Sequence, residues 1–374
     1  MSSRNGDRLS SHLRRVRAGG LGAAFALIAG LVASFATPAA AQDLTIYSTR
    51  EAALTVPLLE RFTGRSGITT NFVHFKSFKD LQDRLAREGD TSPADLVLIP
   101  DIGGLFDLVS AKLTQQVASR EIDEAIPANL KHPTNMWVGL SYRIRAIYVS
   151  KDRVPNPPTT YRELAEPRFQ GRFCIRSGTH PYNQAWIAAM LLKEGEGLTA
   201  VYLQGLKRNM ARTPSGGDRD VAKDIAAGVC DVGIANTYYM GLMASGAGGA
   251  EQKKWAEAVT VVIPSFGDRS GAHVNVTGAA VTRHAPNKQG ATRLLEYLVS
   301  EEGQKQFADA NFEYPARASV PIHPVLEAFG QPTSDMTTLA GIAVMRGQAN
   351  ALVVRTDFDA AVIPAGPIRT LGAR

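Results

Sequence analysis

The sequence predicts an α/β protein of two domains, each a mostly parallel sheet flanked by helices. Three observations carry that prediction. Strand-like runs alternate with segments of helical apolar spacing. One run, ADLVLI at 94–99, is apolar throughout but for Asp95 near its start, as suits a strand covered on both faces. The chain has 374 residues, 44% of them hydrophobic, which is more than one core usually holds.

Residues 1–41 are read apart from the rest. A basic stretch ending at Arg17, an apolar uncharged run over 19–36 and the triplet Ala39-Ala40-Ala41 are the three regions of a cleaved signal peptide. Cleavage after Ala41 places the mature chain outside the cytoplasm. An uncleaved anchor is the alternative, because the apolar run approaches spanning length. No later segment does, so the mature chain is not expected to span a membrane. The leader holds five arginines against Asp7, so the formal charge of +6 falls to about +2 without it. That balance, with no basic stripe among aromatics, gives no reason to expect nucleic acid.

In the first half, 44–47 is β-like, and 52–62 places Leu54, Leu58, Leu59 and Phe62 at helical spacing. A strand over 69–75 and an amphipathic helix over 78–88 follow. After the 94–99 strand, Asp101 is set to cap a helix over 103–111. Val138–Leu140, after Trp137, is strand-like. The second half repeats the pattern with a strand at 172–176 and helices at 185–192 and 218–227. Strands follow at 231–235, 259–263 and 273–281, then a helix or helix pair at 289–310. Residues 358–374 read as a loose tail.

In open parallel sheets ligands bind beyond the carboxyl ends of the strands. Arg50 and Glu51 follow the first strand. Tyr182 follows the 172–176 strand, and Tyr238 and Tyr239 follow the 231–235 strand. Three phenols and one guanidinium are thereby placed to meet in one crevice. A protonated phenol is a poor metal ligand, but a hard trivalent cation stabilises the phenolate. Three phenolates neutralise Fe3+, and Arg50 is suited to grip a carbonate-like anion in a two-pronged fork. The plain alternative is that Tyr238 and Tyr239 are amphipathic core residues with satisfied hydroxyls. Other chemistries lack support. There is no HExxH and no P-loop, and Ser48, Ser141 and Ser177 lack a GxSxG setting. Two cysteines are too few for a multi-cysteine metal site.

The segments LTIYSTR, SPADLVLIPDIGGL, GRFCIRSGTHPYNQ, VCDVGIANTYYMG and VNVTGAAVTRHAPNKQGATRLLEYLVSEEGQ resemble the periplasmic ferric-iron-binding proteins of ABC importers. These are bacterial transferrin-like members of the type II periplasmic binding proteins. The likeness covers roughly 44–320. It implies a two-lobed fold with a hinge, one lobe from 43–141 plus 266–316 and the other from 142–265 plus 317–357. It implies Tyr182, Tyr238 and Tyr239 as Fe3+ ligands. It also implies delivery to an inner-membrane ABC permease with its ATPase, a monomer in the periplasm, and no enzyme activity. Many relatives carry a histidine, or histidine and tyrosine, just after the first strand, where this chain has Glu51-Ala52. It therefore resembles the subset that completes the shell with carbonate or bicarbonate held at the Arg50 position. Glu51 as a carboxylate ligand is the alternative.

Arg143 either supports the anion or a ligand tyrosine, or forms a structural ion pair. His180 is read as a loop or surface residue, Tyr47 as core, and Gly216-Gly217-Asp218 as a weak anion-binding turn. Cys174 and Cys230 are the only cysteines, in an oxidising compartment, and each adjoins a strand of the second domain. They are expected to bridge. The competing function is a binder of the same fold for a small organic or oxyanion cargo, with Arg50 and Arg143 gripping the anion and no metal.

Overall fold

The computed structural model describes residues 43–267, 271–330 and 337–362. The signal-peptide reading of 1–41 and the end of the tail, 363–374, lie outside these residues. In chain order the elements are β1 (Leu44–Ser48), α1 (Val56–Ser66), β2 (Thr70–His74), α2 (Phe78–Glu88), β3 (Leu96–Ile99), α3 (Ile102–Ser110), α4 (Arg120–Ala125), β4 (Val138–Ser150), β5 (Phe173–Cys174), α5 (Pro181–Asn209) and α6 (Asp218–Ala226). They continue with β6 (Val232–Asn236), α7 (Thr237–Ala244), α8 (Ala250–Glu257), β7 (Val259–Val262), β8 (Val274–Val281), α9 (Lys288–Val299), α10 (Glu301–Asn311), β9 (Tyr314–Pro315), α11 (Pro324–Glu327) and α12 (Leu339–Arg355). Among the described residues, no helix is long and apolar enough to cross a membrane.

The strands follow the order β2-β1-β3-β8-β4-β6-β5, with β7 and β9 also paired to β4. Pairing is parallel in β1–β2, β1–β3 and β5–β6. It is antiparallel in β3–β8 and in every pairing made by β4. The sheet is therefore mixed: β1, β2 and β3 run one way with β8 against them, and β5, β6 and β7 run together against β4. The cause is β4. It runs unbroken for 13 residues. Residues 138–144 pair with β8, and residues 145–149 with β6. Each neighbour returns along it, so each runs against it. Only the apolar start of β4 was visible as a strand, because its interior buries Ser141, Arg143 and Arg145. These three share one face by the period-2 rule, with Tyr142 and Ile144 on the other.

Helices form where the spacing predicts them. In α1 the buried residues are Leu58, Leu59 and Phe62, and in α2 they are Leu81 and Leu85. Asp101 caps α3 by accepting from the Gly103 N–H at 2.8 Å. Tyr47 is fully buried and donates to Glu88. The helix at 185–192 is part of a longer α5, which leaves helical geometry at Gly195 (φ 76°). The 289–310 region is a pair, α9 and α10, both capped: Asn287 accepts from the Gly290 N–H and Ser300 from the Gly303 N–H. Helix α12 straps distant parts together. Its Arg346 pairs with Asp107 of α3 at 2.6 Å, and its Asn350 accepts from Gln184 of α5.

The first residues read as tail are anchored. Phe358 is fully buried, and the Asp359 carboxylate accepts from Ser177 Oγ and the Gly178 N–H. One aromatic and one carboxylate anchor this stretch to a distant loop, a fit that periodicity does not carry.

Cys174 and Cys230 are bonded, with Cα atoms 5.9 Å apart. The bridge ties the end of β5 to the residues leading into β6, across a separation of 56. Closing a loop of that length restricts the unfolded chain. Replacing both cysteines by serine should lower unfolding free energy on the order of 2–4 kcal/mol, measured by urea unfolding of the oxidised parent and the variant.

Candidate metal and anion site

Two strand–helix junctions build one wall. Strand β5 leads to α5, whose first residue is Pro181 and whose N-cap His180 accepts from the Tyr182 N–H at 3.2 Å. Proline suits that first position because its missing N–H would have no partner there. Strand β6 leads directly into α7, placing Tyr238 and Tyr239 in its first turn. All three tyrosines thus stand at helix N-termini, where the dipole favours negative charge. The Tyr238 hydroxyl donates to the Tyr182 hydroxyl at 3.2 Å, and the Tyr238 and Tyr239 rings lie 4.1 Å apart.

The facing wall comes from the β1–α1 segment and the end of α10. A cavity of about 250 Å3 is lined by Thr49, Arg50, Glu51, Pro100, Tyr182, Arg219, Tyr238, Tyr239, Asn311 and Phe312, among others. The approach of α10 to α7 requires Gly241, where a Cβ would fall 2.5 Å from Phe312 Cβ. The structure thus brings the three phenols, Arg50 and Glu51 to one cavity. Arg143 is not in its lining. It donates to the Pro100 carbonyl and to Thr277 Oγ1, and its guanidinium lies 5.2 Å from the Tyr182 ring centroid. Glu51 is solvent-exposed at the cavity edge.

Two buried carboxylates organise the charge. Arg50 donates to Thr277 at 3.0 Å and to Glu313 at 3.2 Å, and Glu313 also accepts from Ser141. Asp218 accepts from Arg145, from Arg176 at 3.3 Å and from the Asn236 N–H. Burial alone would raise both carboxyl groups. Arg50 and Arg143 hold Glu313 below its ordinary value, and Arg145 and Arg176 do the same for Asp218. Burial also opposes the charge on Arg50, but Glu313 and the nearby phenols outweigh it and push its pKa up.

The phenols are set differently. Burial pushes Tyr238 well above the ordinary phenol value, and the neighbouring Tyr182 and Tyr239 add to the shift. Tyr239 is raised by burial, then by Tyr182 and Asp218. Around them stand Arg143 and Arg176 near the Tyr182 ring and Arg219 near the Tyr239 ring. Phenols in a cationic frame are a setting in which a polyvalent cation favours the phenolate and the arginines favour an anion. Among the described residues no group of three His, Cys, Asp or Glu side chains could hold a metal. The tyrosines bring phenol oxygens to the cavity, and oxygen is the donor type that suits a hard ion.

Several roles escaped the sequence. Asp218 turns inward under the tyrosines, while the Gly217 N–H is taken by Asp220 Oδ2 at 2.7 Å. The turn at 216–218 is therefore self-capped, which corrects its reading as an anion site. His180 is half-buried, caps α5 and meets the Tyr182 ring edge-on, with its pKa pushed down to about 3 by burial and then Arg176. Arg176 lies two residues beyond the end of β5, inside the stretch read as strand, and so was passed over. Glu313 and Asn311 gave no signal, because they sit between a helix end and a two-residue strand.

Residues 58–330 match the model of a family described as bacterial extracellular solute-binding protein. Iron uptake protein A1 of Synechocystis is 38% identical over 304 residues, 81% of this chain and 84% of that protein. A solved Bordetella ferric binding protein is 46% identical with a TM-score of 0.79, covering 85% of this chain and 99% of its own. A Trichodesmium protein solved with iron and citrate ligands is 35% identical with a TM-score of 0.79, covering 84% and 99%. These relatives are named for binding and uptake, and their solved structures share the mixed α/β periplasmic-binding-protein fold of this chain. The match over most of its length places this chain in the bacterial extracellular solute-binding protein family.

Proposed function

We propose that this chain captures Fe3+ in the periplasm and delivers it to an inner-membrane ABC permease and its ATPase. The observation that carries the reading is the meeting of Tyr182, Tyr238, Tyr239 and Arg50 in one cavity. The iron-uptake and ferric-binding names of the relatives support it. On binding, the three phenols lose their protons and balance the charge of the ion. The free edge of Arg50 then holds a synergistic anion, carbonate or bicarbonate, against the metal. Arg143 and Arg176 steady the Tyr182 ring from behind. Glu51, at the exposed edge, is the alternative carboxylate ligand.

The lobes of this reading are 43–141 plus 266–316 and 142–265 plus 317–357, which close over the ion. Strand β4 changes partners between residues 144 and 145, three residues beyond the proposed 141/142 junction, which supports a crossing within β4. One chain serves as a monomeric carrier, and its role is binding rather than catalysis.

The unpartnered edge of Arg50 also favours a second reading, a binder of a small organic or oxyanion cargo without metal. A visible titration separates the two. With ferric nitrilotriacetate as donor, the first reading gives a phenolate-to-iron band that saturates at one ion per chain and weakens without bicarbonate. Tyr239→Phe should lower affinity by more than about 100-fold, since even the outer partners of metal ligands are worth 10–100-fold. Arg50→Ala should abolish the bicarbonate dependence. A folded protein with no band would move the assignment to the metal-free anion binder.

The pH dependence has a fixed sign. Tyr238 and Tyr239 hold their protons at neutral pH, because burial raises both. Ligation requires the phenolates, so iron affinity falls as pH falls. Calorimetry in two buffers of different ionisation enthalpy should find about three protons released per ion from the protein, one per ligand phenol. Release of none would remove the phenols from the coordination shell.

A further inference from the structure

Four buried polar atoms in the cavity wall have no hydrogen-bond partner: Nε and Nη2 of Arg50, and Nδ2 and Oδ1 of Asn311. Both side chains are more than nine-tenths buried, at 5% and 2% exposure. Arg50 Nη1 is already engaged by Thr277 and Glu313. What remains is one edge of the guanidinium, whose parallel N–H groups match two oxygens of a single planar anion. Asn311 contributes one donor and one acceptor. Because both of its amide atoms lack partners, turning the amide over changes nothing. Asn311 is the last residue of α10, and Phe312, in the left-handed region at φ 53°, turns the chain against α7 immediately after it.

A fully deprotonated oxyanion offers acceptors only. It would satisfy Arg50 and the Asn311 N–H but leave the Asn311 carbonyl unpaired, and a buried acceptor left unpaired is costly. An anion that keeps one O–H satisfies all four atoms. We propose that Arg50 and Asn311 form one receptor for the anion that accompanies the metal, selecting an oxyanion that retains a hydroxyl. Hydrogen carbonate and a hydroxycarboxylate both have that chemistry. The inference rests on the metal-and-anion reading and adds Asn311 as its specificity-determining residue.

The test loads the mature chain with iron from ferric nitrilotriacetate and follows the phenolate–iron band against two anion pairs. Hydrogen carbonate is compared with acetate, which replaces the hydroxyl by methyl. Citrate is compared with tricarballylate, which lacks the hydroxyl. A site built around a hydroxyl rejects the analogue without it strongly. In the parent protein, at least one hydroxylated anion should half-saturate at a concentration about tenfold or more below its analogue. The pair with the larger ratio identifies the source of the anion. Asn311→Ala should bring that ratio close to one, while Arg50→Gln should weaken all four anions. Parent ratios near one in both pairs, or an Asn311→Ala ratio equal to the parent's, overturn the inference. If Arg50→Gln also leaves every curve in place, the anion reading itself has failed. Thermal melts check that each variant is folded. Should Asn311→Ala unfold, Asn311→Ser takes its place, and the parent ratios still decide.

Discussion

The site depends on burying two carboxylates among guanidinium groups. Glu313 and Asp218 are each almost fully buried, and each meets an arginine that is itself inside the protein. Desolvating charge is expensive, so such pairs are weak sources of net stability. Losing one partner is different, because the other charge is left buried and uncompensated at a cost of about 3–5 kcal/mol. Each pair therefore holds its wall in one arrangement. Arg50–Glu313 fixes the β1 and α10 side, and Arg145–Asp218 fixes the ground beneath α5 and α7. Strand β4 links the two networks, because Ser141 donates to Glu313 and Arg145 to Asp218 from the same face.

That frame explains why the tyrosines are neutral and yet prepared to ionise. Burial sets Tyr238 and Tyr239 against ionisation. Arg143 acts in the other direction on Tyr238, and Arg176 on Tyr239. The helix N-termini of α5 and α7 add partial positive charge at the same place. None of these is large enough to remove a proton at neutral pH. A multiply charged cation at the oxygens is, and the positive frame then has an unmet need for an anion. On the proposed reading, cation and anion sites are thus two consequences of one arrangement of charge.

How much of this was legible follows from what each signal depends on. Alternation of strands and helices, the buried run before Asp101 and the tyrosines after their strands are local patterns, and the structure keeps them. The bridge between Cys174 and Cys230 was legible because the chain has only two cysteines. Strand β4 was legible only at its start, since Arg143 and Arg145 break the apolar run while lying inside the protein. Its antiparallel pairings were hidden for the same reason. Glu313 and Asn311 became part of the site only through the approach of α10 to α7 over Gly241, a contact between distant segments that no local pattern records.

Capture and release also follow from the charge balance. On the proposed reading, three phenolates cancel a trivalent ion, so the loaded tyrosine cluster carries no net charge. The surrounding arginines outnumber the buried carboxylates, which leaves the anion as the component that makes the closed site favourable. On that reading, removing the anion leaves the Nε and Nη2 edge of Arg50 buried and unpaired beside the ion, which is costly. The same reading has loss of the anion weaken the wall carried by β1 and α10 first, because Arg50 lies on it, while the tyrosines on α5 and α7 still hold the metal. The proposed order of events follows from where the residues stand: phenolates on one wall take the ion, and the anion on the other wall decides whether it stays enclosed.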